Sequence, residues 1–591
     1  MVSAVCAVTT CGALTAGAVF VGTVAAGTLS PGTVPGGTGR LAPAIPPGGT
    51  SPAWAVAEPV PGISTLDHNG SAQLEAVSCP VVDACGAGGF YIDGSDNHDQ
   101  AFVVSESGGV WGSPQQVPTV PQLNTGGDAS VTAISCFTAG ECGVSGYYTD
   151  SSGLQSFVGS QVGGTWDGSM QLPGSESSFG EPVTESCPGF ARCTIGGFLT
   201  DVHGNEQPYV DDQGPSFDWR ADPSLTGEPS TGGSARVTSV SCKTAGNCTA
   251  GGWYSDDGRQ GAFVADEVNG AWHAAGIVAG SLNKGGNAQV SQVSCEAAGY
   301  CAAVGGYAPG ANQQAPFVKD EKAGVWGPAV PLPGADALNT GHYGAATSVS
   351  CTAPGDCTAE GYYYEARTKT QEDFVATEKN WTWGTAIEVP GMGALNTGRV
   401  GEPGPVSCVS PGTCSAAGEY KTAGGQFQVW SASERGGKWA NAQPLIGLIS
   451  LNAGESQVNG LSCAHVTSCG MVGYYTDSKG RQQPFVALGA IAASTEITEK
   501  LSAHTVVYGH EQAEHLAVAV APQYGGVPAG TVTVAAGTAT VCVIRLKAGK
   551  GSCTLTSARL KPGTYHLVAS YHGGTDFTGS SSPPATVVVV K

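Results

Sequence analysis

The chain has 591 residues, of which 41% are hydrophobic and 12% charged, with 90 glycines, 36 prolines and a net charge of −22 at pH 7. That length exceeds one ordinary domain unless the chain is a repeat array, and the charged share is about half the usual one. The acidic balance offers no basic surface to neutralise phosphates, which excludes nucleic acid as a partner and suits a soluble exported protein.

In chain order, residues 12–29 come first as an apolar stretch of signal-peptide length, with Ala25 and Ala26 near its end. No Lys or Arg precedes Arg40, so the basic start of such a peptide is missing from the sequence. Residues 1–29 are read as a leader and 30–51, rich in Pro and Gly, as a linker. Nothing further along could span a bilayer, so the mature chain is expected to have no membrane span.

Eight copies of Cys-x5-Cys follow at intervals of 51 to 57 residues: Cys79/Cys85, Cys136/Cys142, Cys187/Cys193, Cys242/Cys248, Cys295/Cys301, Cys351/Cys357, Cys408/Cys414 and Cys463/Cys469. The gap inside each pair never varies. Zinc hooks are shorter and are matched by a second hook or by histidines, and none of the 11 histidines recurs with the repeat. The pairs are therefore read as local disulfides, and the protein as extracellular or on the cell surface.

One repeat, 237–281, shows four short strands. Val237–Cys242 alternates, Cys248–Tyr254 resumes after a turn, and Asp256-Asp257-Gly258 turns into Ala262–Asp266. Asn269-Gly270 is a hairpin signal before Trp272–Ala279. Four antiparallel strands per unit, with no helical period, is the cue for a β-propeller blade. The tryptophan opening the fourth strand recurs as Trp54, Trp111, Trp166, Trp219, Trp272, Trp326, Trp383 and Trp439. Trp54 precedes the first cysteine pair, and the last repeat has no tryptophan after its third strand. Residues 54–61 are therefore expected to pair with 484–492 and close a ring of eight blades over 52–492.

The shared pattern S-V-S-C-x5-C-x-A-G-G-Y-Y-x-D-x-x-G-x-Q-x-A-F-V, followed by E-x-x-G-x-W and L-N-T-G-G, resembles the secreted propeller-like repeats of actinobacterial exported proteins. The resemblance implies a repeat class and no activity.

From 496 to 591 the cysteine period stops and about seven strands fall in roughly 95 residues, a sandwich signature. Tyr508-Gly509, Pro528-x-Gly530-Thr-Val-Thr-Val534, Pro562-Gly563-Thr564-Tyr565 and Tyr571-x-Gly573-x-x-x-Phe577 resemble bacterial Ig-like domains. The resemblance implies a spacer, stalk or adhesion module. Cys542 and Cys553 flank a hairpin and are expected to pair.

The sequence holds no nucleophile elbow, metalloprotease motif, P-loop or dinucleotide fingerprint. No catalytic residue or cofactor is assigned. Asp93, Asp96 and Asp99 form the densest acidic turn, which reads either as a calcium loop of oxygen ligands or as a solvated turn. The loops that leave the fourth strands carry Leu-Asn-x-Gly with Asn124, Asn283, Asn339, Asn396 and Asn452. On the propeller reading they share a face with Tyr148, Tyr254, Tyr363 and Tyr475. These nine residues are the expected ligand contacts for a glycan or an extracellular protein, against the plainer reading that Asn-x-Gly makes the turn. The favoured function is a monomeric secreted or surface binding and adhesion protein. The alternatives are an enzyme acting on extracellular polysaccharide, whose two carboxylates the linear sequence leaves unassigned, and a structural envelope component.

Overall fold

The computed structural model describes Trp54 and residues 56–591, apart from 69, 95–96, 174–179, 202, 215–217, 223–224, 226–232, 467, 490–494, 523–526, 574–576 and 578. The expected leader and linker lie outside the described residues.

Eight antiparallel sheets occupy residues 54–489. Numbered along the chain by their first strands, they begin with Ala72–Val81, Ala129–Thr138, Gly180–Ser186, Ala235–Thr244, Ala288–Ala297, Gly344–Ala353, Gly401–Ser410 and Ser456–His465. Sheet four shows the plan: Ala235–Thr244, Asn247–Asp256, Arg259–Val268 and Ala271–Trp272 in sequential order. In five of the eight the outermost strand is broken, so a fifth short piece also pairs with the third strand. Each sheet buries the Phe, Tyr or Trp of its third strand; Phe102, Phe157, Phe263, Phe317, Phe374, Trp430 and Phe485 are all buried.

The expected early strand is present in part. Glu58–Pro59 pairs with Val486 and Phe485 on the third strand of sheet eight, and Trp54 bridges to Gly489. Burying Trp54, Ala57 and Val60 anchors it.

All eight Cys-x5-Cys pairs are disulfides joining first to second strand, and Cys542–Cys553 is a ninth. The second cysteine of every repeat pair, Cys85, Cys142, Cys193, Cys248, Cys301, Cys357, Cys414 and Cys469, is buried. The pairing is as expected, but the bridges do more than staple surface hairpins. Their sulfurs pack into the hydrophobic clusters of the sheets: Cys85 beside Leu74 and Val104, Cys142 beside Val131 and Val144, Cys357 beside Val349 and Ala359, Cys414 beside Val406 and Ala416, and Cys469 beside Leu461 and Met471. As oxidised, buried core residues they are structural, and none presents a thiol to a ligand or a metal.

The serine before each first cysteine has a second use. Ser78 Oγ accepts from the Cys136 amide, and the same bond runs from Ser135 to Cys187, from Ser186 to Cys242, and onward at 2.9–3.0 Å. The series ends where it began, with Ser462 accepting from the Cys79 amide at 2.9 Å. The first strands pack against one another in the same cyclic order, sheet eight against sheet one included.

A glycine is required at one repeated position. A Cβ on Gly252 would lie 2.0 Å from the Arg236 carbonyl oxygen, and its counterparts Gly89, Gly146 and Gly473 would meet the first strand at 2.0–2.1 Å. The close approach adjoins a break in register, such as that between Val237 and Ser239.

The C-terminal region has two sheets over a core that includes Ile497, Leu516, Val518, Val532, Val534, Leu567 and Val587. One holds Thr495–Leu501, His515–Pro522 and Lys550–Thr554; the other is built on Thr531–Ala536, Gly563–Tyr571 and Ala585–Val590. Cys542 and Cys553 do flank a turn, but their strands lie in different sheets, so this bridge ties the two layers together.

Candidate functional site

Of the nine residues expected to contact ligand, seven are buried and Asn283 and Tyr254 are half-buried. Asn124, Asn339, Asn396 and Asn452 are buried, and each ends a one-turn helix too short to leave a period in the sequence: Val120–Leu123, Ala335–Leu338, Met392–Leu395 and Leu448–Leu451. Their carboxamides are spent on the backbone. Asn339 Nδ2 donates to the Gln314 carbonyl at 2.9 Å, while its Oδ1 accepts from the amides of Tyr343 at 2.8 Å and Tyr364 at 3.4 Å. Asn124, Asn396 and Asn452 donate in the same way to Asp99, Gln371 and Phe427. Asn283, half-buried, donates to the Gln260 carbonyl and accepts from the Asn287 amide, both at 2.8 Å. Tyr148, Tyr363 and Tyr475 are buried, and Tyr254 packs beside the core of sheet four. A buried carboxamide bonded to the backbone latches loop to sheet.

Of the acidic turn that reads as a calcium loop or a solvated turn, the structure describes Asp93 and Asp99. Asp93 Oδ1 is 3.0 Å from His68 Nδ1, Asp96 lies outside the described residues, and Asp99 is beside Asp128. Burial first, and Asp128 second, push the Asp99 carboxyl up to about 6. Among the described residues three metal-ligating side chains converge at Glu185, Cys187 and Cys193, where the sulfurs are bonded to each other.

The sheets carry differing side chains along their first strands. Equivalent first-strand positions hold Gln73, Ser130, Glu181, Arg236, Gln289, Ala345, Glu402 and Gln457. Arg236 is the one cation among them. Its guanidinium grips Glu206 with two bonds, 3.1 Å from Nε and 2.6 Å from Nη2, and lies 4.0 Å over the Phe198 ring. The fork and the ring hold it flat and oriented.

Several carboxyls of the first strands are held above their usual range. Glu75 keeps some solvent contact by area yet is hemmed in by protein, and burial, then the charge of Glu181, push it up to about 7. Burial also raises Glu181, with Arg236 pulling back. Tyr147 is pushed up by burial and by Asp128, with which it hydrogen-bonds. Burial raises Glu402, with Glu455 adding to the rise and Lys421 opposing it. A neutral acid beside carboxylates, a fixed fork of donors and an aromatic plane is a lining suited to hydroxyl-rich or amine-bearing ligands. The signal was present in the sequence, because these positions vary while their neighbours repeat, but their equivalence needed the strand register.

Residues 499–590 match the family model of the bacterial Ig-like domain (group 3). Comparison with curated proteins gives no match. Among solved structures, Sqt1 from Chaetomium thermophilum is 11% identical over 72% of this chain and 98% of its own, with a TM-score of 0.40. The acylaminoacyl peptidase of Pyrococcus horikoshii is 7% identical over 68% and 59%, at 0.35. A neuraminidase-like protein of subtype N10 from A/little yellow-shouldered bat/Guatemala is 11% identical over 52% and 93%, at 0.30. Likenesses this loose carry no argument about what the chain does. Among the described residues no helix is long and apolar enough to cross a membrane.

Proposed function

We propose that residues 54–489 form an eight-bladed β-propeller and that the chain is an exported, non-catalytic binding protein, with the Ig-like domain as its spacer or adhesion module. The ring rests on the cyclic serine-to-cysteine bonds and on the Glu58–Pro59 strand completing sheet eight. Nine disulfides support an oxidising compartment. One observation carries the binding reading: Arg236, fixed by Glu206 and Phe198, is the one cation at its position on the first strands and stands among acids. Inner strands of a propeller line its central channel, and a wall that is polar and different on each side recognises a ligand in one orientation. The ligand class is a glycan, with extracellular protein as the other candidate.

Arg236→Ala and Glu181→Gln, screened against cell-wall and host glycans, test this. At least a tenfold loss of binding to the glycan that wild type retains, with melting unchanged, is the expected result. A ligand whose affinity ignores both substitutions would remove the site from the channel wall.

A second reading is a polysaccharide-acting enzyme. Glu75 and Glu181 favour it, being electrostatically coupled carboxyls that both keep solvent contact and sit above their usual range, as a general acid and its partner must. Release of reducing ends from the bound glycan, abolished by Glu75→Gln, would decide for it.

A further inference from the structure

Departures from the repeat cluster at one seam, between sheets six and seven. Glu360 stands where the other seven sheets have small or apolar residues, Gly88, Gly251 and Val304 among them. Asp373 stands where they have residues such as Ala101, Ala262 and Pro316, and Trp430 is the tryptophan at a position that is otherwise Phe or Tyr. Three departures that meet in space ask for a local reason.

Glu360 and Asp373 are both completely buried, at 0% exposure. Glu360 is opposite Val375 and Asp373 opposite Tyr362, so both lie on one face of sheet six, a diagonal step apart. Sheet seven fixes one oxygen of each. The Gly404 amide donates to Glu360 Oε1 at 3.4 Å, and Trp430 Nε1 donates to Asp373 Oδ2 at 3.0 Å. The second oxygen of each, Glu360 Oε2 and Asp373 Oδ1, is buried without a hydrogen-bond partner. The two carboxyls are close enough for Asp373 to act on Glu360, yet those free oxygens do not bond to one another. The other charges that act on the pair are Glu372, Glu402 and Glu419, all acids.

The geometry points to a buried site for an oxygen-preferring divalent cation, calcium foremost, bridging Glu360 Oε2 and Asp373 Oδ1 at this seam. A buried carboxyl oxygen without a partner calls for an explanation, and a bound ion is one; here two such oxygens, on adjoining side chains, depart together from the repeat. A partner for two ionised carboxylates is positive, accepts hard oxygen ligands and fits between two side chains, with backbone carbonyls or water completing its shell. Sheet seven's two donors leave both free oxygens for it. Such an ion would tie the second and third strands of sheet six together beside sheet seven. The rival is a pair of protonated acids, which needs no metal.

Calcium chloride titrated into the chelator-treated full chain separates the two. One calcium per chain is expected, with a melting temperature that rises with calcium as ligand linkage requires. Binding should release protons, read from the heats in two buffers of different ionisation enthalpy, and should tighten from pH 5 to pH 8. Glu360→Gln and Asp373→Asn should each weaken binding at least tenfold. Absence of saturable binding by calcium, magnesium or manganese overturns the site, as does binding that persists undiminished in both variants. Should either variant fail to fold, proton release by the wild type still decides, because binding without it means the ion sits elsewhere.

Discussion

The disulfide ends of the eight sheets and their inner strands follow opposite rules. At the disulfide end every sheet carries the same Ser-Cys-x5-Cys hairpin and gives the same bond to its neighbour. Along the first strands the side chains vary from sheet to sheet, from the fixed guanidinium of Arg236 and the carboxyls of Glu181 and Glu402 to the amides of Gln73, Gln289 and Gln457. Repetition marks what holds the molecule together, and variation marks where it meets something else. The latching asparagines belong with the first group although they lie in loops.

The comparison can be broken most severely by removing residues 54–61. That strips Trp54, Ala57 and Val60 from the core and leaves the third strand of sheet eight unpaired. Loss of a buried tryptophan alone costs about 3–5 kcal/mol, so the denaturation midpoint should fall clearly and the truncated chain should self-associate at its open edge. A truncated protein as stable and monomeric as the full chain would show that the strand is not part of the frame.

Asn339→Ala should cost less, about 1–3 kcal/mol, by removing the bond to the Gln314 carbonyl and leaving the Tyr343 amide unmatched. Urea unfolding measures it. A ligand-contact asparagine would instead lose affinity and leave the midpoint in place.

The smallest effect concerns acids in the frame itself. Burial, then Asp266 in the neighbouring sheet, push the buried Glu321 up to about 7 from 4.5. A raised carboxyl binds its proton more tightly in the folded chain, so its contribution is fully present below pH 4.5 and is lost as pH rises through about 7. Glu267 beside Asp212 and Glu378 beside Asp320 are raised by the same causes, burial first. Thermal melts should therefore drop from pH 4.5 to pH 8, and Glu321→Gln should flatten part of that slope. An unchanged slope would mean that Glu321 is not titrating in the folded state.

Much of the frame was legible because its chemistry is local. A constant Cys-x5-Cys fixes a hairpin, and a tryptophan out of phase announces a strand borrowed from the other end. The burial of the second cysteines was not legible, because spacing gives a partner and says nothing of what packs over the sulfurs. The serine before each cysteine was equally visible, but its partner lies about 55 residues away, a distance at which spacing alone says nothing about contact. The asparagines were misread because a turn sequence does not disclose whether its carboxamide points out or in. Glu360 and Asp373 are two among 47 acidic residues. They stand out only once strand register aligns them with the small and apolar residues of the other sheets.

The chain crosses every seam between neighbouring sheets, running each time from an outer strand into the next first strand. Its one interruption lies inside sheet eight, between Gly489 and the borrowed strand. On the ring reading, opening without breaking a covalent bond must begin there, by peeling Glu58–Pro59 from Phe485 and Val486. The Ig-like domain starts at Thr495, a few residues past that joint. On that reading a pull on a tethered C-terminal domain would enter the ring at sheet eight, beside the short pairing of Glu58–Pro59, which would then act as a mechanical fuse.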